Sequence, residues 1–204
     1  MNKKKYSAIV LDMDGTIIDS LETAVMSLKK AGRNFGLDIT EQHIQLAMFS
    51  SGESLLKELD TGADFLAHWM EIYEEESHNV HVFPGIKELL AVPVKRGIVT
   101  SETHAELLAN LEKSDFSAGD FLALVGADDT EYEKPSPFPL LHCLNIMNVS
   151  TDEALFIGDS TNDMLCAYAA GVDFGLAVWG AGTTQGFDSA KYFFEKPQDI
   201  IKFI

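Results

Sequence analysis

The chain has 204 residues, with 15 Lys and Arg against 32 Asp and Glu, a formal charge of −17, and 46% hydrophobic residues. That length and apolar content suit one domain, or a core carrying an insertion, and exclude long intrinsic disorder. The acidity argues against a nucleic-acid or anionic-membrane surface, which needs clustered Lys and Arg. Two cysteines, Cys143 and Cys166, make neither a disulfide framework nor a zinc spacing, so a reducing, cytoplasmic compartment is expected. The opening MNKKKYSAIVLDMDG holds the only basic run, Lys3-Lys4-Lys5, but its apolar stretch is too short and too acidic for a signal peptide or a membrane span.

Ala8-Ile9-Val10-Leu11 is a short apolar run ending at Asp12 and opening into a turn at Gly15, the pattern of a buried strand. From about Leu21 to Val80 the spacing becomes helical, through Leu21, Val25 and Leu28 and again through Phe65, Leu66, Trp69, Ile72 and Tyr73. Ser20 precedes this stretch as an N-cap and Phe83-Pro84-Gly85 closes it with a turn. An inserted all-helical domain over 20–80 is therefore expected within a core of 1–19 and 81–204. Glu74-Glu75-Glu76 reads as a solvated face of that insert. Beyond it, Gly97-Ile98-Val99, Phe121 to Val125 and Ala154 to Ile157 repeat the shape of the first strand. Helix-like stretches lie around them at Ile86 to Leu90, Ala105 to Leu111, Pro139 to Met147 and Asp163 to Ala170. The alternation predicts an α/β fold with a parallel sheet. In such sheets ligands collect at the carboxyl ends of strands, where Asp12, Thr100 and Asp159 fall.

Asp12-Met13-Asp14-Gly15-Thr16 sets two carboxylates one residue apart beyond a buried strand. Their repulsion in a partly desolvated site is on the order of several kcal/mol unless a cation or a proton intervenes, which points to a divalent metal. A turn whose aspartates cap local amides fits this fragment equally well. Gly158-Asp159-Ser160-Thr161-Asn162-Asp163 brings further carboxylates to the same edge, and an oxygen-only cluster suits Mg2+. The structural alternative makes Asp159 an N-cap and Asp163 a first-turn carboxylate matched to the helix dipole. Thr100 and Ser101 at a third strand end, and Lys134 before Pro135-Ser136-Pro137, add donors for an oxyanion. Taken singly, Thr100 reads as a helix cap and Lys134 as a solvated surface lysine. His104, His142, Cys143, Cys166 and Trp179 complete no triad or metal set by spacing, and Trp179-Gly180-Ala181-Gly182 reads as a tight loop after an apolar strand.

Four motifs now stand in order: Asp12-Met13-Asp14-Gly15-Thr16-Ile17-Ile18-Asp19-Ser20, the strand ending at Thr100, Lys134-Pro135-Ser136-Pro137, and Gly158-Asp159-Ser160 to Asp163, continued by Ala167, Ala170 and Gly171. With them the chain resembles the haloacid-dehalogenase-like hydrolases, in the phosphoglycolate-phosphatase-like branch with a helical cap, over nearly its whole length. The resemblance implies a Rossmann-like parallel sheet with helices on both faces, the insertion being the cap that reads the leaving group. It implies an Mg2+-dependent phosphatase acting on a small phosphorylated metabolite, with Asp12 as the nucleophile that forms an aspartyl-phosphate and Asp14 as general acid and then base. Thr100 and Lys134 would bind the phosphoryl group, with Met13 and Ser101 completing the substrate contacts. Mg2+ would be held by Asp12, the carbonyl of Asp14 and Asp159, with Asp163 acting largely through water. The nearest match to the family's substrate-facing cap loop is Phe49-Ser50-Ser51-Gly52-Glu53-Ser54, where Glu53 departs from the family pattern, as Phe138 does elsewhere. Arg33, His43 and Lys57 are candidate cap contacts, though each reads first as an ordinary surface residue of the insert. No nucleic acid or membrane partner is expected, and the chain would act as a monomer or homodimer. A sugar-phosphate mutase of the same superfamily shares Asp12, Asp14, Thr100 and Lys134 and stays open as an alternative. A signalling receiver needs neither Asp14 nor the insert, and the complete motif set speaks against an idle phospho-acceptor or binding protein.

Overall fold

The structure, a computed structural model, describes residues 5–49 and 52–204. In chain order its elements are β1 (Ala8–Leu11), β2 (Ile18–Asp19), α1 (Leu21–Asn34), α2 (Glu41–Phe49), α3 (Gly52–Glu58), α4 (Ala63–Glu76), β3 (His81–Val82), α5 (Ile86–Leu90), β4 (Lys95–Val99), α6 (His104–Lys113), β5 (Ala123–Val125), α7 (Phe138–Met147), β6 (Ala154–Gly158), α8 (Thr161–Ala170), β7 (Asp173–Ala177), α9 (Val178–Ala181) and β8 (Tyr192–Phe194). They fall into two compact units: the residues up to Ile18 with Val82–Ile204, and Asp19–His81. The short strands β2 and β3 pair with each other where the chain passes between the units.

In the first unit six strands form one sheet in the order β5-β4-β1-β6-β7-β8, every pairing parallel. All four residues of β1 are fully buried, because side chains on both faces of the sheet are covered. On one face Ala8, Val10, Val99, Val125 and Phe156 pack with Leu140, Cys143, Leu144 and Met147 of α7 and with Met164, Cys166 and Ala167 of α8. Ile9, Leu11, Ile98, Leu155 and Ile157 alternate to the other face and are equally buried, as are Ile86 and Leu89 of α5 and Leu107 and Leu111 of α6.

The strand order positions the site. The chain steps outward from β1 to β4 and β5, then returns to the opposite side of β1 to place β6, so the direction of winding reverses between β1 and β6. Doubly wound sheets open a crevice at such a reversal, beyond the carboxyl ends of the two strands. Leu11 pairs with Ile98 on one side and Ile157 on the other, which brings Asp12, Thr100 and Asp159 out at the same edge.

Among its described residues the second unit is helical between β2 and β3, around a core of Leu28, Ala31, Ile44, Leu55, Leu59, Phe65, Trp69 and Ile72. The buried Trp69 indole donates to Ser27 Oγ at 2.9 Å. Ser20 stands at the N-cap position of α1 without a side-chain capping hydrogen bond. Within the expected substrate-facing segment, Ser50 and Ser51 lie outside the described residues, and Gly52 already opens α3, so its second half is helix rather than loop.

Three details differ from the sequence expectations. The strand expected over Phe121–Val125 shortens to Ala123–Val125: Ala118–Asp120 forms a 3-10 turn, which Phe121 N–H closes by donating to Ala118 O, and Leu122 links it to the strand. Trp179-Gly180-Ala181-Gly182 is not a loop: Val178–Ala181 is one helical turn, closed by Gly182 in the left-handed conformation. The strand β8 joins the sheet edge with no counterpart among the expected elements. Among the described residues, no helix is long and apolar enough to cross a membrane.

Candidate active site at the carboxyl edge of the sheet

Asp12 is the first residue beyond β1, and its backbone N–H still donates to Ile157 O at 2.9 Å, holding it in sheet register. The chain then turns sharply. Met13 O accepts from the N–H groups of Thr16, Ile17 and Ile18, and Gly15 N–H donates to Ile18 O. Met13's side chain is fully buried in the core, so only its backbone is left to face a ligand. Gly15 sits at φ +71°, and a Cβ there would lie 2.1 Å from Asp159 Oδ2, so this turn admits only glycine.

Lys134 ties the site together. Its Nζ donates to Asp12 Oδ1 at 2.7 Å, to Asp163 Oδ1 at 2.7 Å and to Val99 O at 3.4 Å, and the residue is only 6% exposed. The surface-lysine alternative is therefore overturned. Asp163 is fully buried with both oxygens engaged, Oδ1 by Lys134 and Oδ2 by Ser160 N–H at 3.1 Å and Ser160 Oγ at 2.5 Å. Ser160 Oγ accepts in turn from Asp163 N–H, so Ser160 rather than Asp159 is the N-cap of α8. Asp159 is left facing the crevice side of the β1 turn, its Oδ1 accepting from Thr16 Oγ1 at 3.3 Å. Thr100 is buried, and its hydroxyl accepts from Glu102 N–H at 3.2 Å; the cap of α6 is Thr103, reciprocated by Glu106. Ser101 is exposed at this strand end and Asp14 half-buried.

Asp12, Asp159 and Asp163 each offer an oxygen within 4.8 Å of the others. Burial, and then the Asp163 charge, push the Asp12 carboxyl well above the usual carboxylate range, with Lys134 pulling the other way. The same two causes raise Asp159 to about 7. Burial alone would lower Lys134, but the Asp12 and Asp163 carboxylates outweigh it and hold the ammonium firmly protonated. Three carboxylates against one ammonium leave a buried excess of negative charge on oxygen-only donors. That donor set fits a hard divalent cation such as Mg2+.

Two features were not picked out by sequence reasoning. Glu102, two residues past Thr100, is pushed up to about 10 by burial and by its contact with the Asp14 carboxyl. Asn110 Nδ2 donates to Glu102 Oε1, while Oε2 is buried with no donor against it. An acidic residue so close to a functional strand end was the signal available. The second feature is Trp179, whose Nε1 donates to Thr16 O at 3.0 Å, with Gly180 packed behind Gly15.

The sequence profile of the family described as haloacid dehalogenase-like hydrolase matches residues 9–177. A candidate pyrophosphatase, PpaX, of Caldanaerobacter subterraneus is 29% identical over 98% of this chain and 95% of its own. A phosphoglycolate phosphatase of Nitrosospira multiformis is 30% identical over 80% of this chain and 79% of its own. The crystal structure of a candidate phosphoglycolate phosphatase from Lactobacillus plantarum superposes with a TM-score of 0.86 at 32% identity, covering 98% of this chain and 100% of that one.

Proposed function

The chain belongs to the haloacid dehalogenase-like hydrolases, and from that premise we propose that it is an Mg2+-dependent phosphatase for a small phosphorylated metabolite, working through an aspartyl-phosphate on Asp12. The observation that carries this reading is the Lys134 ammonium bridging Asp12 and Asp163 beside Asp159, at the point where the winding of the sheet reverses.

Lys134 fixes one oxygen of Asp12 and so orients the carboxylate for attack on phosphorus. The Lys134 ammonium and the Thr100 hydroxyl face the charge that spreads over the phosphoryl oxygens, with Ser101 and the Met13 backbone completing the cradle. The Asp14 carboxyl donates a proton to the leaving oxygen and later takes one from the water that hydrolyses the intermediate. The Asp14 carboxyl lies in contact with that of Glu102. Asp12, the Asp14 carbonyl and Asp159 would hold Mg2+, which when bound offsets the carboxylate excess and the phosphoryl charge. Asp163, both of whose oxygens are taken, would act from behind by fixing Lys134 and through water.

The helical unit is read as the cap that selects the leaving group. A cytoplasmic setting is consistent with two cysteines that are free and buried. The test is phosphate release from a panel of phosphorylated metabolites, with and without Mg2+, by wild type and Asp12→Asn. Mg2+-dependent release that Asp12→Asn abolishes is expected. Release persisting in Asp12→Asn overturns the nucleophile, and a strict requirement for a sugar bisphosphate makes the enzyme a mutase instead.

A further inference from the structure

The helical turn α9 reaches the metal-site carboxylate along two separate paths. The first is steric. Gly15 lies flush against Asp159, since a Cβ on it would stand 2.1 to 2.8 Å from the three carboxyl atoms. Gly180 in turn lies flush against Gly15: a Cβ on Gly180 would stand 1.6 Å from Gly15 O, 2.6 Å from Gly15 C and 3.2 Å from Asp159 Cβ. The two nearest of these are backbone atoms, so no flexible side chain can move aside to relieve the contact. The second path is a hydrogen-bond chain. Trp179 Nε1 donates to Thr16 O at 3.0 Å, and the hydroxyl of the same fully buried Thr16 donates to Asp159 Oδ1 at 3.3 Å. Both paths start from one turn because β7 runs parallel beside β6, with Leu176 opposite Gly158, so α9 emerges next to Asp159.

We infer that Trp179 and Gly180 are positioning residues that set the spacing between the β1 turn and Asp159, and thereby the fit of the site to Mg2+. The inference rests on the metal reading above. The Asp14 carbonyl is one peptide bond from Gly15, so the Gly180–Gly15 contact fixes where that carbonyl stands, while the Thr16 bond fixes the rotation of the Asp159 carboxylate. Mg2+ demands near-ideal octahedral geometry at about 2.0–2.1 Å, whereas Ca2+ accepts longer and looser coordination. A small change in ligand spacing must therefore penalise Mg2+ more than Ca2+. Partners that orient metal ligands without touching the ion typically alter affinity by about 10–100-fold.

The experiment measures Mg2+ and Ca2+ binding by titration calorimetry on the full chain as wild type, Gly180→Ala and Trp179→Phe, with thermal unfolding of each in EDTA. In Gly180→Ala the Kd for Mg2+ should rise about tenfold or more while that for Ca2+ changes by much less, so the Mg2+/Ca2+ selectivity falls. Trp179→Phe, which keeps an aromatic ring but removes the Nε1 donor together with part of the indole's bulk, should shift selectivity in the same direction by a smaller factor, and it decides the matter if Gly180→Ala does not fold. Equal weakening of both ions, or wild-type Mg2+ affinity in both variants, overturns the inference alone. Failure of the wild type to bind Mg2+ overturns the metal reading and the inference together.

Discussion

Around Lys134 the site gathers Asp12, Asp14, Asp159, Asp163 and Glu102, and how each carboxyl settles its charge decides what it can do. Asp12 and Asp163 share an ammonium, whereas Glu102 meets another acid and keeps a proton. Its folded-state value of about 10 lies above the ordinary value near 4.5, so the folded protein binds an extra proton between the two. Stability from this group is full below the lower value and is lost as the pH rises towards the upper one. Glu102→Gln removes that titration and can donate to Asp14 from its amide. Urea denaturation in EDTA should show a flatter loss of stability from pH 5 to 9, with a gain at pH 8 of about 1–3 kcal/mol, the range for relieving a buried unsatisfied group. An unchanged slope would remove the Glu102–Asp14 proton from the picture. Asp14→Asn tests the partner. With an activated aryl phosphate, whose leaving group needs little acid, the variant should release a stoichiometric burst of phenol and then turn over about 10²–10⁴-fold more slowly. A steady state equal to wild type would deny Asp14 its role. The residues around Lys134 were legible in sequence because each ends a strand or precedes a turn in a recognisable order. Glu102 was not, because its significance arises only where the end of β4 meets the turn after β1.

At the scale of elements, what a strand or helix shows in sequence depends on how much apolar surface it buries by itself. β1, β4 and β6 are short apolar runs bounded by turn residues, and α1 and α4 carry long helical spacings, so each announces itself. The two-residue strands β2 and β3 and the three-residue β8 are too short to show a period. The turn α9 is hidden for a different reason: its glycine would discourage a helix, and it is retained there by the close approach of Gly15. The same reasoning gives a prediction for the helical unit. Phe65 is fully buried there and meets Phe35 edge-on at 5.3 Å. Phe65→Ala should cost about 3–5 kcal/mol. Calorimetric unfolding should register that loss, while Mg2+ affinity measured below the transition stays at the wild-type value, because Phe65 belongs to the core of the helical unit and the carboxylates to the sheet. A matching drop in Mg2+ affinity would contradict that division.

For the whole molecule the governing quantity is charge. A net −17 over 204 residues repels itself, and the proposed metal site adds a buried excess of carboxylate to that burden. Two kinds of cation relief follow and can be separated. Diffuse screening acts on the surface, depends only on ionic strength and is weak for each charge. Site binding is saturable and stabilises by RT ln(1 + [L]/Kd), about 2.7 kcal/mol at one hundred times Kd. Raising NaCl in EDTA should therefore lift the thermal midpoint gradually in every variant. Mg2+ should lift it further at matched ionic strength, in parallel with the return of phosphatase activity after chelation, and Ca2+ should restore little of that activity. Asp159→Ala should erase the Mg2+-specific increment and leave the NaCl response intact, because it removes one crevice carboxylate and scarcely alters the overall charge. Asp163→Ala should weaken Mg2+ less than Asp159→Ala does, since both Asp163 oxygens are already committed to Lys134 and Ser160. If Mg2+ stabilises Asp159→Ala as much as wild type, the ion acts on the surface charge alone, and the buried carboxylates are held by Lys134 and their own protons.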